Sequence, residues 1–222
     1  MVKPESALRR LMRDTGKLLQ PYGFEGAEPT WVRGMPGGTA TVARTRTFRT
    51  FTGGQQMLRF GLGAWATPTA WWEFRNWRNE RLGLAPLAIE TAAGPGLLPG
   101  EGLPEDPDQL WSVRLDPDQP GHVQPGDIDL IRAELPRRVH AHARRALRLL
   151  DSDSYLEELL AQPNPTVATW EAIAVLLAEQ GPSSRLDEAL DRLTRAAREQ
   201  PDSRTQDVVD FIAARTLSSR SA

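Results

Sequence analysis

The chain contains no cysteine, which removes disulfides, thiolate nucleophiles and every Cys-containing zinc or iron–sulfur site at once. Histidine is scarce too: His122, His140 and His142 are the only three. The last two sit two residues apart, so on a helix they point about 200° away from each other and cannot share a metal. His140 is expected on a basic outer face and His142 at the edge of a buried stripe. No window approaches the roughly 18 apolar residues of a membrane span. Met1–Gln20 carries arginines through its middle where a secretory signal needs an unbroken apolar run. These absences together point to a cytoplasmic protein with no cofactor and no metal.

Charge is present in quantity but unevenly placed. The formal net charge is −2, yet residues 1–82 carry +7, 83–131 carry −8, 132–150 carry +5 and 151–222 carry −6. Blocks of opposite sign attract one another on folding, and they also suit an acidic partner or a nucleic acid. Of the 27 basic residues 25 are arginine, which reflects a G+C-rich genome more than selection for phosphate forks.

Periodicity defines the elements. Ala7, Leu8, Leu11, Met12, Thr15, Leu18 and Leu19 recur at helical spacing behind Pro4, and Pro21 and Gly23 stop that helix. Thr30–Arg33 reads as a short strand. Gly37-Gly38 supplies the positive φ angles of a tight hairpin. A strictly alternating strand from Thr39 to Phe51 follows, then a Gly53-Gly54 turn and a strand from Gln56 to Ala66 whose Leu58, Phe60, Leu62 and Ala64 share one face. A helix from Thr69 through Leu82 carries Trp71, Phe74, Trp77 and Arg78. Trp111–Leu115 returns as a fourth strand. From Pro125 the pattern is helical, with a stripe at Ile128, Ile131, Leu135, Val139, Ala143, Ala146 and Leu150, then helices near 152–161, 166–180, 184–199 and 203–217.

The fold class is therefore α+β: an antiparallel three- to four-stranded meander covered by helices, followed by an all-helical C-terminal tail. The α+β domain spans 1–150, with a Pro/Gly-rich loop or flexible insertion at 83–109, and the tail spans 151–222. Ala189, Ala196 and Pro201 keep the spacing of a tetratricopeptide second helix, but no second copy exists, and a plain helical hairpin is the simpler reading.

Most motif-like patterns dissolve on inspection. Asp116-x-Asp118-x-x-Gly121 resembles a calcium loop, but Pro120 stands where an oxygen ligand belongs and Asp127 replaces the bidentate Glu. The glycines from Gly94 to Gly100 lack phosphate-loop spacing, and their prolines remove amide donors. Two features survive. One is a strand face bearing Arg44 and Arg46, beside which Arg59 and Trp65 project from the next strand, giving planar donors next to an aromatic. Equally, such a face is simply solvated, with arginine stems covering apolar surface. The other is Trp71-Trp72-Glu73-Phe74-Arg75-Asn76-Trp77-Arg78, whose aromatics and arginines suit stacked bases or a packed core. The basic run from Arg137 to Arg148 reads as a solvated face or a partner for the acidic loop.

The opening stretch ALRRLMRDTGKLLQPYGFEGAEPTWVRG, followed by a long strand, a turn and LRFGLGAW, resembles a bacterial family known only as a domain of unknown function. The resemblance covers roughly residues 5–115, with Gly23-Phe24 and Trp31 as its marks, and it implies a fold without an activity. The expectation is a bacterial binding or interaction protein with an immunity-type or regulatory role. Its ligand would be another protein or a small anion, held at Arg44, Arg46, Arg59 and Trp65. The alternative is an enzyme acting on a small anionic substrate at the same face, with Glu73 as acid or base. A nucleic-acid binder is the third reading.

Overall fold

Pro4 opens helix α1 (Pro4–Leu19), where a missing N–H costs nothing, and Ala7, Leu11, Met12, Thr15 and Leu19 fall on its buried face. A computed structural model of the chain describes residues 2–92, 94–95, 110–117, 119, 121–198 and 204–219. A 3-10 turn (Gln20–Tyr22) ends α1, and Gly23 leaves it at a left-handed φ of 75°. Next come β1 (Glu25–Ala27), β2 (Thr30–Met35), β3 (Gly38–Arg44), β4 (Phe48–Thr52), β5 (Gln55–Phe60), β6 (Leu62–Pro68) and α2 (Thr69–Arg81). Further on lie β7 (Trp111–Arg114), α3 (Pro125–Arg148), α4 (Ser152–Leu160), α5 (Val167–Glu179), α6 (Ser184–Arg198) and α7 (Thr205–Ser219). The class is α+β, with antiparallel sheets and a helical C-terminal region. No helix among the described residues is long and apolar enough to cross a membrane.

The strands form two sheets where one meander was expected, ordered β1-β2-β3-β6 and β4-β5-β7. Both long strands of the sequence pattern are broken, one at Thr45–Thr47 and the other at Gly61. The breaks are bonded to each other. Thr45 N–H donates to the Gly61 carbonyl at 3.0 Å, and Gly61 N–H donates to Thr45 Oγ1 at 2.8 Å. A single long hairpin is thus bent at one joint, and its two halves join different sheets.

The chain divides into two compact units, each drawn from three stretches: Met1–Gly34, Ala40–Trp65 and Pro99–Leu147, then Met35–Thr39, Ala66–Leu98 and Arg148–Ala222. In the first, the inner face of the β4-β5-β7 sheet buries Phe60, Trp111 and Val113. Ala7, Leu8 and Leu11 of α1 and Ile128 of α3 meet that face around a hollow of about 10 Å³, room for roughly one water and too apolar to hold it. The expected α3 stripe is buried at Ile128, Ile131, Leu135, Val139, Ala143 and Ala146.

In the second unit α5 is the central helix, with ten of its residues buried, and such a helix needs neighbours all round. A capping box between Thr166 and Thr169 starts it. Around it pack Ala70, Trp71 and Phe74 of α2, Tyr155, Leu156 and Leu159 of α4, Leu186, Ala189 and Leu193 of α6, and Val208 and Phe211 of α7. The aromatics of α2 are therefore core residues of the helical unit, and Phe74 meets Phe211 edge-on at 5.2 Å.

Within the 83–109 segment, residues 93 and 96–109 lie outside the described residues. The described part is irregular, as a loop would be, and several side chains tie it down. Leu87 N–H donates to Asn76 Oδ1 at 2.7 Å, and the Leu87 carbonyl accepts from Trp72 Nε1 and Asn76 Nδ2. Thr67 Oγ1 donates to the Ala92 carbonyl and Tyr155 Oη to that of Pro95. A Cβ on Gly94 would stand 2.1 Å from the Ala66 carbonyl oxygen, so only glycine fits there.

Candidate functional site

The four residues singled out from the sequence are spread over β3, the link to β4, β5 and β6. Arg44, at the end of β3, is a strut. Its Nε donates to Glu28 Oε1 at 2.9 Å, and its Nη1 donates to Thr47 Oγ1 at 2.6 Å and to the Thr45 carbonyl at 3.2 Å. The guanidinium spans the break between β3 and β4 and holds the bend in shape. Trp65 lies on β6, in the other sheet from Arg59, with its ring against Gly63. Arg46 is exposed in the link between β3 and β4. Arg59 sits on β5, opposite Phe48 on one side and Ser112 on the other.

What remains together is one face of the β4-β5-β7 sheet. Strand alternation puts Phe48 and Thr50 of β4, Met57 and Arg59 of β5, and Ser112 and Arg114 of β7 on the face opposite the core. Phe48, Thr50, Met57 and Arg59 are all half-buried. Arg59 Nε and Thr50 Oγ1 are shielded from water without a hydrogen-bond partner among the described residues. Native proteins rarely leave buried polar atoms unsatisfied, and these two occupy diagonal positions on a single face.

The stretch from Pro29 to Trp72 contains no acidic residue and five arginines: Arg33, Arg44, Arg46, Arg49 and Arg59. That run was the signal that motif searching passed over. Arg49 of that run and its neighbour Phe51 lie on the other side of β4, that of Leu58, and both are exposed near the β4–β5 turn, Phe51 at 72%.

Elsewhere the charged groups are neutralised within their own unit. Asp127 is no calcium ligand. It accepts the backbone N–H of Arg114 at 2.7 Å and Arg114 Nη2 at 2.6 Å. Burial alone would push its carboxyl up, but these bonds hold it below the usual range. Glu134 behaves alike. Burial opposes its charge, but Trp111 Nε1–H at 2.7 Å with Arg138 and Arg137 keeps its carboxyl low. His142 is pushed down to about 4 by burial and by the charges of Arg138 and Arg145. Of the calcium-like stretch, Asp118 and Pro120 lie outside the described residues; around them His122 N–H donates to the Gln119 carbonyl and Asp116 N–H to that of His122. Among the described residues no group of three histidine or carboxylate side chains gathers to hold a metal.

In the helical unit Arg78 donates to both oxygens of Glu171 at 3.1 and 2.7 Å, and its Nε lies 3.1 Å from Asp207. Arg81 pairs with Asp210, and Arg215 pairs with Glu73 and Glu179. Arg78 and Arg81 of α2 are thus engaged with α5 and α7. Glu73, the carboxylate named for acid–base work, is an ion-pair partner on α2. Burial, with Glu73 nearby, pushes the Glu179 carboxyl up despite Arg215. No family model, curated protein or solved structure matches the chain.

Proposed function

We propose that this is a binding protein that recognises an acidic partner protein through the outer face of the β4-β5-β7 sheet. The reading is carried by the acid-free run from Pro29 to Trp72, which sets Arg46, Arg49 and Arg59 on or beside this sheet with no carboxylate among them. A partner carboxylate would pair with these guanidinium groups, while Phe48 and Met57 supply apolar contact beside them. The acid-free run from Pro29 to Trp72 gives the face its sign. Arg46 and Arg59 are the contact residues, whereas Arg44 braces the bend and Trp65 lies in the other sheet. An immunity-type or regulatory role in a bacterial cytoplasm fits such a surface, in keeping with the resemblance of residues 5–115.

The test is comparative capture from lysate of the native host. Wild-type protein is expected to retain an acidic protein that the Arg46→Glu/Arg59→Glu variant releases, with affinity lower by at least about tenfold and further reduced by salt. Circular dichroism confirms that the variant is folded. Identical capture by the two proteins would remove the sheet face from consideration.

A further inference from the structure

The backbone of the same sheet adds a mode of recognition. Leu115 N–H donates to the Gln56 carbonyl at 2.9 Å. Along β5, then, the backbone groups of Gln56, Leu58 and Phe60 face β7, and those of Gln55, Met57 and Arg59 face β4. Phe48 lies opposite Arg59, Thr50 opposite Met57 and Thr52 opposite Gln55. Those three β4 residues therefore bond back to β5, and Arg49 and Phe51 aim their N–H and C=O groups out of the sheet.

The two edges of the sheet are treated differently. Beyond β7 the edge is occupied at Arg114, whose carbonyl accepts from Gln124 N–H at 3.0 Å and whose N–H donates to Asp127 at 2.7 Å. Among the described residues nothing pairs with the β4 edge, and the two residues whose backbone groups point outward carry an exposed arginine and a phenylalanine at 72% exposure. An open edge with side chains of alternating character is a template for a further strand.

We infer that β4 accepts an extended acidic segment of the partner protein as an added antiparallel strand. The inference rests on the protein-binding reading above and specifies how the partner is held. The segment is acidic because Arg46, Arg49 and Arg59 surround the edge with no carboxylate in the run that carries them. Antiparallel pairing puts one partner residue opposite Phe51 and the residue two places later opposite Arg49, on the same face. The next residue falls opposite Phe48. The recognised pattern is an apolar residue, any residue, a carboxylate and a second apolar residue.

The probe is the fluorescein-labelled peptide Thr-Val-Thr-Glu-Val-Glu-Thr, followed by anisotropy and by amide hydrogen exchange. Wild-type protein is expected to bind it, and the Arg49 and Phe51 amides, free in the unbound protein, become protected. Phe51→Pro removes an outward N–H without touching the ladder to β5, and it is expected to weaken binding by about tenfold or more. Peptide N-methylated at alternate residues on the bonding edge should fail likewise. Unprotected Arg49 and Phe51 amides in the bound state would overturn strand addition, and this readout needs no variant to fold. So would full binding by folded Phe51→Pro, or no binding by wild type up to about 1 mM. If Arg46→Glu/Arg59→Glu still loses its acidic partner in any of those cases, the surface reading stands and only the strand is lost.

Discussion

At the level of single residues, much of the charge in this protein is structural. Asp127 and Glu171 are drawn from water, and each is compensated by arginine donors. His142 is the exception, since its neighbours Arg138 and Arg145 share its sign and oppose its protonation. A histidine whose folded pKa lies near 4 against an ordinary 6.5 binds its proton more readily in the unfolded chain. Its contribution to stability is complete above pH 6.5 and is lost as the pH falls toward 4, with a slope of at most about 1.4 kcal/mol per pH unit. The lowered carboxyl of Asp127 acts below that window, and that of Glu134 only at its lower end, from about 4.5 downward. Glu179, with its raised carboxyl, works in the opposite sense at the lower end, so the comparison with a variant is what isolates the histidine. Urea unfolding at pH 7.0 and 5.0 should show wild type losing more stability on acidification than His142→Gln. Equal losses would remove His142 as the cause.

At the level of elements, the joint between Thr45 and Gly61 decides the sheet architecture. Thr45→Val keeps the shape of the side chain but leaves the buried Gly61 N–H without its acceptor at 2.8 Å. The expected cost is about 1–3 kcal/mol in denaturant unfolding, whereas Thr45→Ser retains the hydroxyl and should lose less. Valine and serine variants of equal stability would show the bond to be dispensable. The same joint explains what could be read from the chain and what could not. Helix α1 and the α3 stripe were legible because helical spacing and a first-turn proline are local signals. The change of sheet was not, because the alternation from Thr39 to Phe51 runs on unbroken through Thr45–Thr47, and Gly61 looks like any glycine within a strand. Arg44 and Arg59 were legible as outward arginines. That Arg44 is held by Glu28, sixteen positions earlier, depends on tertiary structure alone. The open edge at Arg49 and Phe51 likewise follows from which way β5 faces, which no pattern within β4 reveals.

At the level of the molecule, the helical unit is assembled from distant parts of the chain. Helix α5 buries apolar residues on all sides, and α2, some ninety residues earlier, supplies Ala70, Trp71 and Phe74 to the same core. Arg78 of α2 also supplies the counter-charge for Glu171, whose side chain is only 9% exposed. A cut near residue 150, where the composition changes, therefore separates a core from one of its walls and a buried carboxylate from its partner. Losing the partner of a buried ion pair costs about 3–5 kcal/mol before any loss of packing is counted, a large part of the stability of a small domain. The fragment 148–222 should accordingly keep helical circular dichroism but show poorly dispersed amide resonances, broad thermal unfolding and binding of a hydrophobic dye. Adding a peptide spanning residues 66–95 should restore dispersion and a cooperative transition. A 148–222 fragment that unfolds cooperatively on its own, with dispersed resonances and no response to the peptide, would show that the C-terminal helices are complete without α2.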